Sequence, residues 1–153
     1  MINQLKKFLK SFYYAYNGFL IAIKEERNFR FHIVTGFYVY IFSLFYNFNK
    51  IEYFIITICI VGILSLELVN SAIERAVAQP DKNHDTYAGI AKDIAASAVL
   101  IFAIGCFVIG LFLFWDIDIL VEIWRFFYNN ISLFITFIVS IILSIIFIFK
   151  ERK

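Results

Sequence analysis

The stretch LELVNSAIERAV, Leu66–Val77, overlaps the end of fourteen residues, Tyr53 to Leu66, that carry no charge. Having run through this apolar segment, the chain presents Glu67, Asn70 and Glu74. On a helix, spacings of three and four residues bring side chains within about 60° of one another, so these three form one polar stripe. A carboxylate at membrane depth costs at least about 2.5 kcal/mol, and two on one face require a cation, a metal or a water-filled cleft. The plainer alternative is a pair of interfacial glutamates, solvated or paired with Arg75 and Lys92.

Composition places this stretch in a membrane. Hydrophobic residues make up 62% of the chain and charged ones 17%, a balance far from that of a soluble domain. A spanning helix needs about 20 apolar residues, and the candidates are Phe31–Phe48, Ile51–Val77, Ile94–Trp115 and Ile131–Phe149. Lys6, Lys7, Lys10, Lys24, Arg27 and Arg30 precede the first span, and such cations are retained on the cytoplasmic side. The turn Asn47–Glu52 and the acidic segment Asp116–Arg125 then lie outside. The connection Arg75–Asp93 and the tail Lys150–Lys153 lie inside, giving four spans with both ends cytoplasmic.

Before the first span, Leu5, Phe8, Leu9, Phe12, Tyr16, Phe19, Leu20 and Ile23 recur at helical spacing with lysines between them. This pattern predicts an amphipathic helix in the membrane interface. Charges scattered through Met1–Arg30 do not fit a cleavable signal peptide. Pro80 marks a break after the second span. Cys59 and Cys106 fall in different apolar runs and read as small buried hydrophobes rather than a disulfide; His32 and His84 stand alone, without zinc-ligand spacing.

Further charge gathers at the same membrane face as the stripe. Lys24-Glu25-Glu26-Arg27 supplies carboxylates which, with Glu74, are hard oxygen ligands of the kind Mg²⁺ takes together with substrate phosphates. Lys92-Asp93, just before the third span, adds a cation suited to phosphate and an acceptor suited to a hydroxyl or a metal-bound water. The chain has no GxxxxGK[ST] loop, GxGxxG, kinase catalytic loop or GxSxG elbow, so a nucleotide would have to be held by the membrane helices themselves. Ala88, Ala91, Ala95 and Ala98, with Gly89 and Ser97, offer a small-residue face for a neighbouring helix or a lipid.

Taken together, ELVNSAIERAV (67–77), AGIAKDIAASAVLI (88–101) and YAYNGFLIAIKEERNFRFH (14–32) resemble the prokaryotic diacylglycerol kinase family, which includes undecaprenol kinases. The resemblance implies an all-α membrane bundle: an N-terminal interfacial helix, three transmembrane helices over residues 1–115, and here an interfacial segment plus a fourth, C-terminal transmembrane helix over 116–153. It implies an ATP- and Mg²⁺-dependent lipid kinase, a homotrimer in the bacterial cytoplasmic membrane with its site at the cytoplasmic face and no nucleic-acid partner.

By the same resemblance Glu67 is the general base, with Asn70 beside it, and Glu26 and Glu74 hold the metal. Lys7, Tyr14, Glu26, Glu74, Lys92 and Asp93 meet the nucleotide, and Glu67 and Ser97 meet the lipid. ERNFRFH is closer to the branch that phosphorylates undecaprenol, with diacylglycerol the alternative acceptor. The chain departs from the pattern at Ala78, where the family usually has Asp, in the loop containing His84-Asp85, and in the fourth span. Two further classes stay open. A small transporter would carry charges through several spans, whereas here they stop at one interface; a non-catalytic relative would tolerate loss of Glu67 and Glu74.

Overall fold

Hydrocarbon offers no hydrogen bonds to a backbone, so a chain of this composition must satisfy its peptide groups internally. The computed structural model describes residues 2–78 and 85–150, and all regular structure among them is helical. The elements are α1 (Ile2–Glu25), α2 (Arg27–Ser43), α3 (Lys50–Val77), α4 (Asp85–Phe114), α5 (Ile117–Asn129) and α6 (Ile131–Phe149). Pro80, His84 and the tail after Lys150 lie outside the described residues.

α1 is the predicted amphipathic helix, with Leu5, Phe8, Leu9 and Phe12 exposed along it. It does not run on into α2. At Glu26 the backbone turns extended, with φ −96° and ψ 109°, and this single-residue elbow separates the two helices.

α2 begins and ends earlier than the segment Phe31–Phe48 predicted from hydrophobicity. After Ser43 the chain closes into tighter turns, Leu44, Phe45 and Tyr46 donating to the carbonyls of Ile41, Phe42 and Ser43. Tyr46 and Phe48 then stack on each other, with Phe114 edge-on to both. The aromatic residues past Ser43 pack on one another and on Phe114 instead of continuing the helix. At 17 residues α2 is about 25 Å long, near the lower limit for a hydrocarbon core of about 30 Å. α3, α4 from Tyr87, and α6 are each long and apolar enough to cross.

Helix entry is explained by local chemistry. Asn49 opens α3 with a reciprocal cap: its side chain accepts from Ile51 and Glu52 N–H, while Glu52 accepts from Asn49 N–H at 2.7 Å. Asp116 caps α5 by accepting from Asp118 and Ile119 N–H. α4 is already helical at Asp85, upstream of the apolar run from Ile94, through a segment whose Ala88 and Ala91 favour helix. Lys92 and Asp93 sit within this helix, just before its apolar run.

α3 packs on both α4 and α2, and α6 packs on α2. Glycines permit the closest approaches. A Cβ on Gly36 would lie 2.9 Å from Ile60 of α3, and one on Gly62 would run into the Phe102 ring of α4. Between α2 and α6 the contacts are partly polar, Tyr38 Oη lying 3.0 and 3.1 Å from the hydroxyls of Ser140 and Ser144. Cys59 and Cys106 are free, half-buried thiols on α3 and α4, Cys106 Sγ pointing at the Cys59 carbonyl.

Gly62→Leu, which overfills the α3–α4 contact, is expected to destabilise the fold by about 1–3 kcal/mol. Gly105→Ala, with nothing within 4 Å of the added atom, should change stability by no more than about 1 kcal/mol. Thermal unfolding of both variants in one detergent compares them directly.

Candidate active site

The C-terminal half of α3 carries the polar stripe, and it is buried. Glu67 is 3% exposed, and Asn70 and Ser71 are 7% exposed. A stripe merely solvated at the interface would not have such values. Glu74, one turn further toward the helix end, is partly exposed, so the stripe runs from the packed interior out to water.

What faces it is the α1–α2 elbow. Because Glu26 interrupts the helix and its side chain makes no capping hydrogen bond, the carboxylate is free to turn toward α3. Arg75 Nη2 lies 2.7 Å from Glu26 and 2.9 Å from Glu25, tying α3 to the elbow. The Glu67 carboxyl has Asn28 of α2 as its side-chain neighbour and lies within Coulombic reach of Glu26 and Glu74. Lys92 on α4 reaches Glu74 at 4.0 Å. Three parts of the chain thus meet: the elbow, the last turns of α3 and the first turns of α4.

Asn70 donates to Glu74 at 3.4 Å, and its Oδ1 is buried with no hydrogen-bond partner among the described residues. An orphaned buried acceptor costs about 1–3 kcal/mol, so a donor arriving at this point would be bound favourably. Four carboxylates, Glu25, Glu26, Glu67 and Glu74, gather here, with Arg75 engaging Glu25 and Glu26 and Lys92 engaging Glu74. Among the described residues no three Asp, Glu, His or Cys side chains close on a single metal position. The donor set nevertheless suits Mg²⁺, which uses one or two carboxylates and completes its shell with phosphate oxygens and water.

The other expected residues are distributed as follows. Asp93 and Ser97 are exposed on α4, the Ser97 hydroxyl donating to the Asp93 carbonyl at 2.7 Å. Lys7 and Tyr14 are exposed on α1, about 27 and 17 Å along the helix from Glu25 at 1.5 Å per residue. Within one chain the structure does not bring them to the carboxylates. Tyr14 lies beneath Lys10, whose ammonium is 5.5 Å from the ring centroid. Of the alternative pairings for Glu74, Lys92 is present, while Arg75 goes to the elbow instead.

Sequence reasoning overlooked Asn28 and the roles of Arg75 and Arg30. Asn28 and Arg30 lie in the quoted stretch ERNFRFH, and only the fold shows what they face. Below Glu67, an apolar cavity of about 490 Å³ opens between α2, α3 and α4, lined among others by His32, Gly36, Cys59, Ile63 and Phe107. Ile63, in its lining, is one helical turn from Glu67 on α3.

Arg75 is half exposed, and such ion pairs contribute up to about 1 kcal/mol. Arg75→Gln should therefore leave stability within about 1 kcal/mol of the parent and, by freeing the Glu26 carboxylate, tighten divalent-cation binding. Titration calorimetry with Mg²⁺ tests the second effect and thermal unfolding the first.

A family model described as "Prokaryotic diacylglycerol kinase" matches residues 13–114, ending with α4. The chain is 41% identical over 112 residues to an undecaprenol kinase of Bacillus subtilis, covering 73% of this chain and 91% of that protein. It is 35% identical over 103 residues to a diacylglycerol kinase of a Synechocystis strain, covering 67% of this chain and 59% of that protein. No solved structure matches.

Proposed function

The chain belongs to the prokaryotic diacylglycerol kinase family and is a lipid kinase, and from that premise we propose that it transfers the γ-phosphoryl group of ATP to undecaprenol. The observation that carries this reading is a buried carboxyl, Glu67, one helical turn from the lining of an apolar cavity and near the Glu26 and Glu74 carboxylates. A lipid alcohol needs an apolar approach and a base at its end. A nucleotide needs cations and an entry from water.

Glu67 accepts the proton of the lipid hydroxyl as that oxygen attacks the γ-phosphorus. The bond to the bridging oxygen breaks, and ADP leaves with its electron pair. Burial beside Asn28 holds the Glu67 carboxyl in one place, which suits it to this role. Asn70 orients the acceptor from beside Glu67, its side-chain N–H being able to donate to the alcohol oxygen while Glu67 takes the one hydroxyl proton. Lys92 steadies the phosphates from α4, with Asp93 beside it, and Ser97 meets the lipid. Glu26 and Glu74 would hold Mg²⁺, which when bound neutralises phosphate charge. Lys7 and Tyr14 meet a nucleotide only if another subunit brings them there, as a homotrimer with sites between subunits would.

Undecaprenol is favoured over diacylglycerol by the ERNFRFH stretch and by the higher identity to the undecaprenol kinase over nearly all of that protein's length. The charged end of the bundle then faces the cytoplasm, where ATP is found.

Purified protein supplied with labelled ATP, Mg²⁺ and either lipid should phosphorylate undecaprenol faster than diacylglycerol. Glu67→Gln and Glu74→Ala should each lower transfer about 100-fold or more, the scale of losing a general base or a charge-neutralising ligand. Transfer to neither lipid refutes the activity, and a preference for diacylglycerol refutes the acceptor assignment.

A further inference from the structure

We propose that α6, the helix beyond the family match, is a positioning element for the elbow that carries Glu26, acting through Arg30. The inference rests on the kinase reading above for the role of Glu26, and on geometry for everything else.

Arg30 lies in the first turn of α2 and is 5% exposed. A guanidinium has five N–H donors, and each of its three nitrogens is engaged. Nη1 donates to the carbonyls of Ile23 and Lys24 at 3.1 and 3.0 Å, in the last turn of α1. Nε and Nη2 donate to the Ile148 carbonyl at 3.1 and 2.8 Å, and Nη2 also reaches the Lys150 carbonyl at 3.4 Å. Among the described residues its hydrogen-bond acceptors are backbone carbonyls at two helix C-termini and include no carboxylate. Carbonyls at a helix C-terminus lack intrahelical donors and carry the negative end of the dipole, so one cation caps both helices.

The consequence lies at the elbow. α1 ends and α2 begins around Glu26, which has extended backbone and no side-chain cap of its own. Its position depends on how the two helices meet, and Arg30 holds the end of one from the start of the other. Half of that guanidinium is fixed by α6. Tyr38 bonding to Ser140 and Ser144, the Phe42–Phe137 contact and Arg27 over the Phe149 ring hold α6 against α2 along its length. Moving the end of α6 removes the acceptors that orient Arg30, and the elbow loosens toward solvent.

Two full-length variants test this. Arg30→Lys keeps the charge and loses the fork; Ser140→Leu combined with Ser144→Leu places bulk against Tyr38 and leaves Arg30 intact. Both should raise the Mg²⁺ concentration for half-maximal phosphoryl transfer about fivefold, the scale of one ordinary intramolecular hydrogen bond. Amide hydrogen exchange should quicken at Glu26 and Arg30, whose N–H groups bond to Ala22 and Glu26 carbonyls. A merely structural role would lower the amount of active enzyme and leave the Mg²⁺ dependence where it was.

Unchanged Mg²⁺ dependence in an active enzyme overturns the proposal, whether or not exchange quickens. If Arg30→Lys does not fold, the serine pair alone carries both measurements. If the parent protein transfers no phosphate, the kinase reading fails on its own account. Mg²⁺ affinity by calorimetry then replaces half-saturation and decides by the same criterion.

Discussion

A backbone in hydrocarbon has to hydrogen-bond to itself, and at helix ends it cannot do so completely. The architecture of this chain follows from where those ends are placed and what satisfies them. At the end away from the charged cluster, Asn49 and Asp116 cap α3 and α5, and the Tyr46 hydroxyl donates to the Phe114 carbonyl at the close of α4. At the charged end, the Arg30 guanidinium serves the carbonyls of two helices together. Ends that meet a side chain from another element become joints between elements, so satisfying the backbone also sets the tertiary arrangement.

The buried polar stripe of α3 sits at one of these joints for a related reason. A carboxyl buried to the extent of Glu67 is tolerated only where other polar groups gather. The elbow provides them because the helix is broken there and Glu26 and Asn28 become available. The apolar cavity below and the water-facing Glu74 above give the joint access from two phases. Such a meeting suits a lipid kinase, one of whose substrates is an oil and the other a polyanion.

The polar stripe is legible in the sequence, because its spacing, three then four, fits only one helical face. The resemblance that identified the family rested on the same residues, with Lys92-Asp93 and the segment around Glu26. The interior and the interface of α2 were less readable. Tyr46 and Phe48 are as hydrophobic as a helix needs and serve an aromatic cluster instead, and α4 is already helical at Asp85, upstream of its apolar run. Hydrophobicity reports preference for oil and says little about backbone conformation at a boundary.

Periodicity and composition were sufficient for an all-helical membrane chain, for the shared face of Glu67, Asn70 and Glu74, and for the concentration of charge at one end, because these depend on neighbours within a few turns. Folding settled which side chains meet across the chain. Arg75 could have paired with Glu74 and instead joins α3 to Glu25 and Glu26. Arg30 could have served as one more interfacial cation and instead caps carbonyls 118 residues away. Backbone carbonyls are the same in every residue and leave no trace in a sequence, so a contact made to them becomes visible only when the helices that carry them have been packed together.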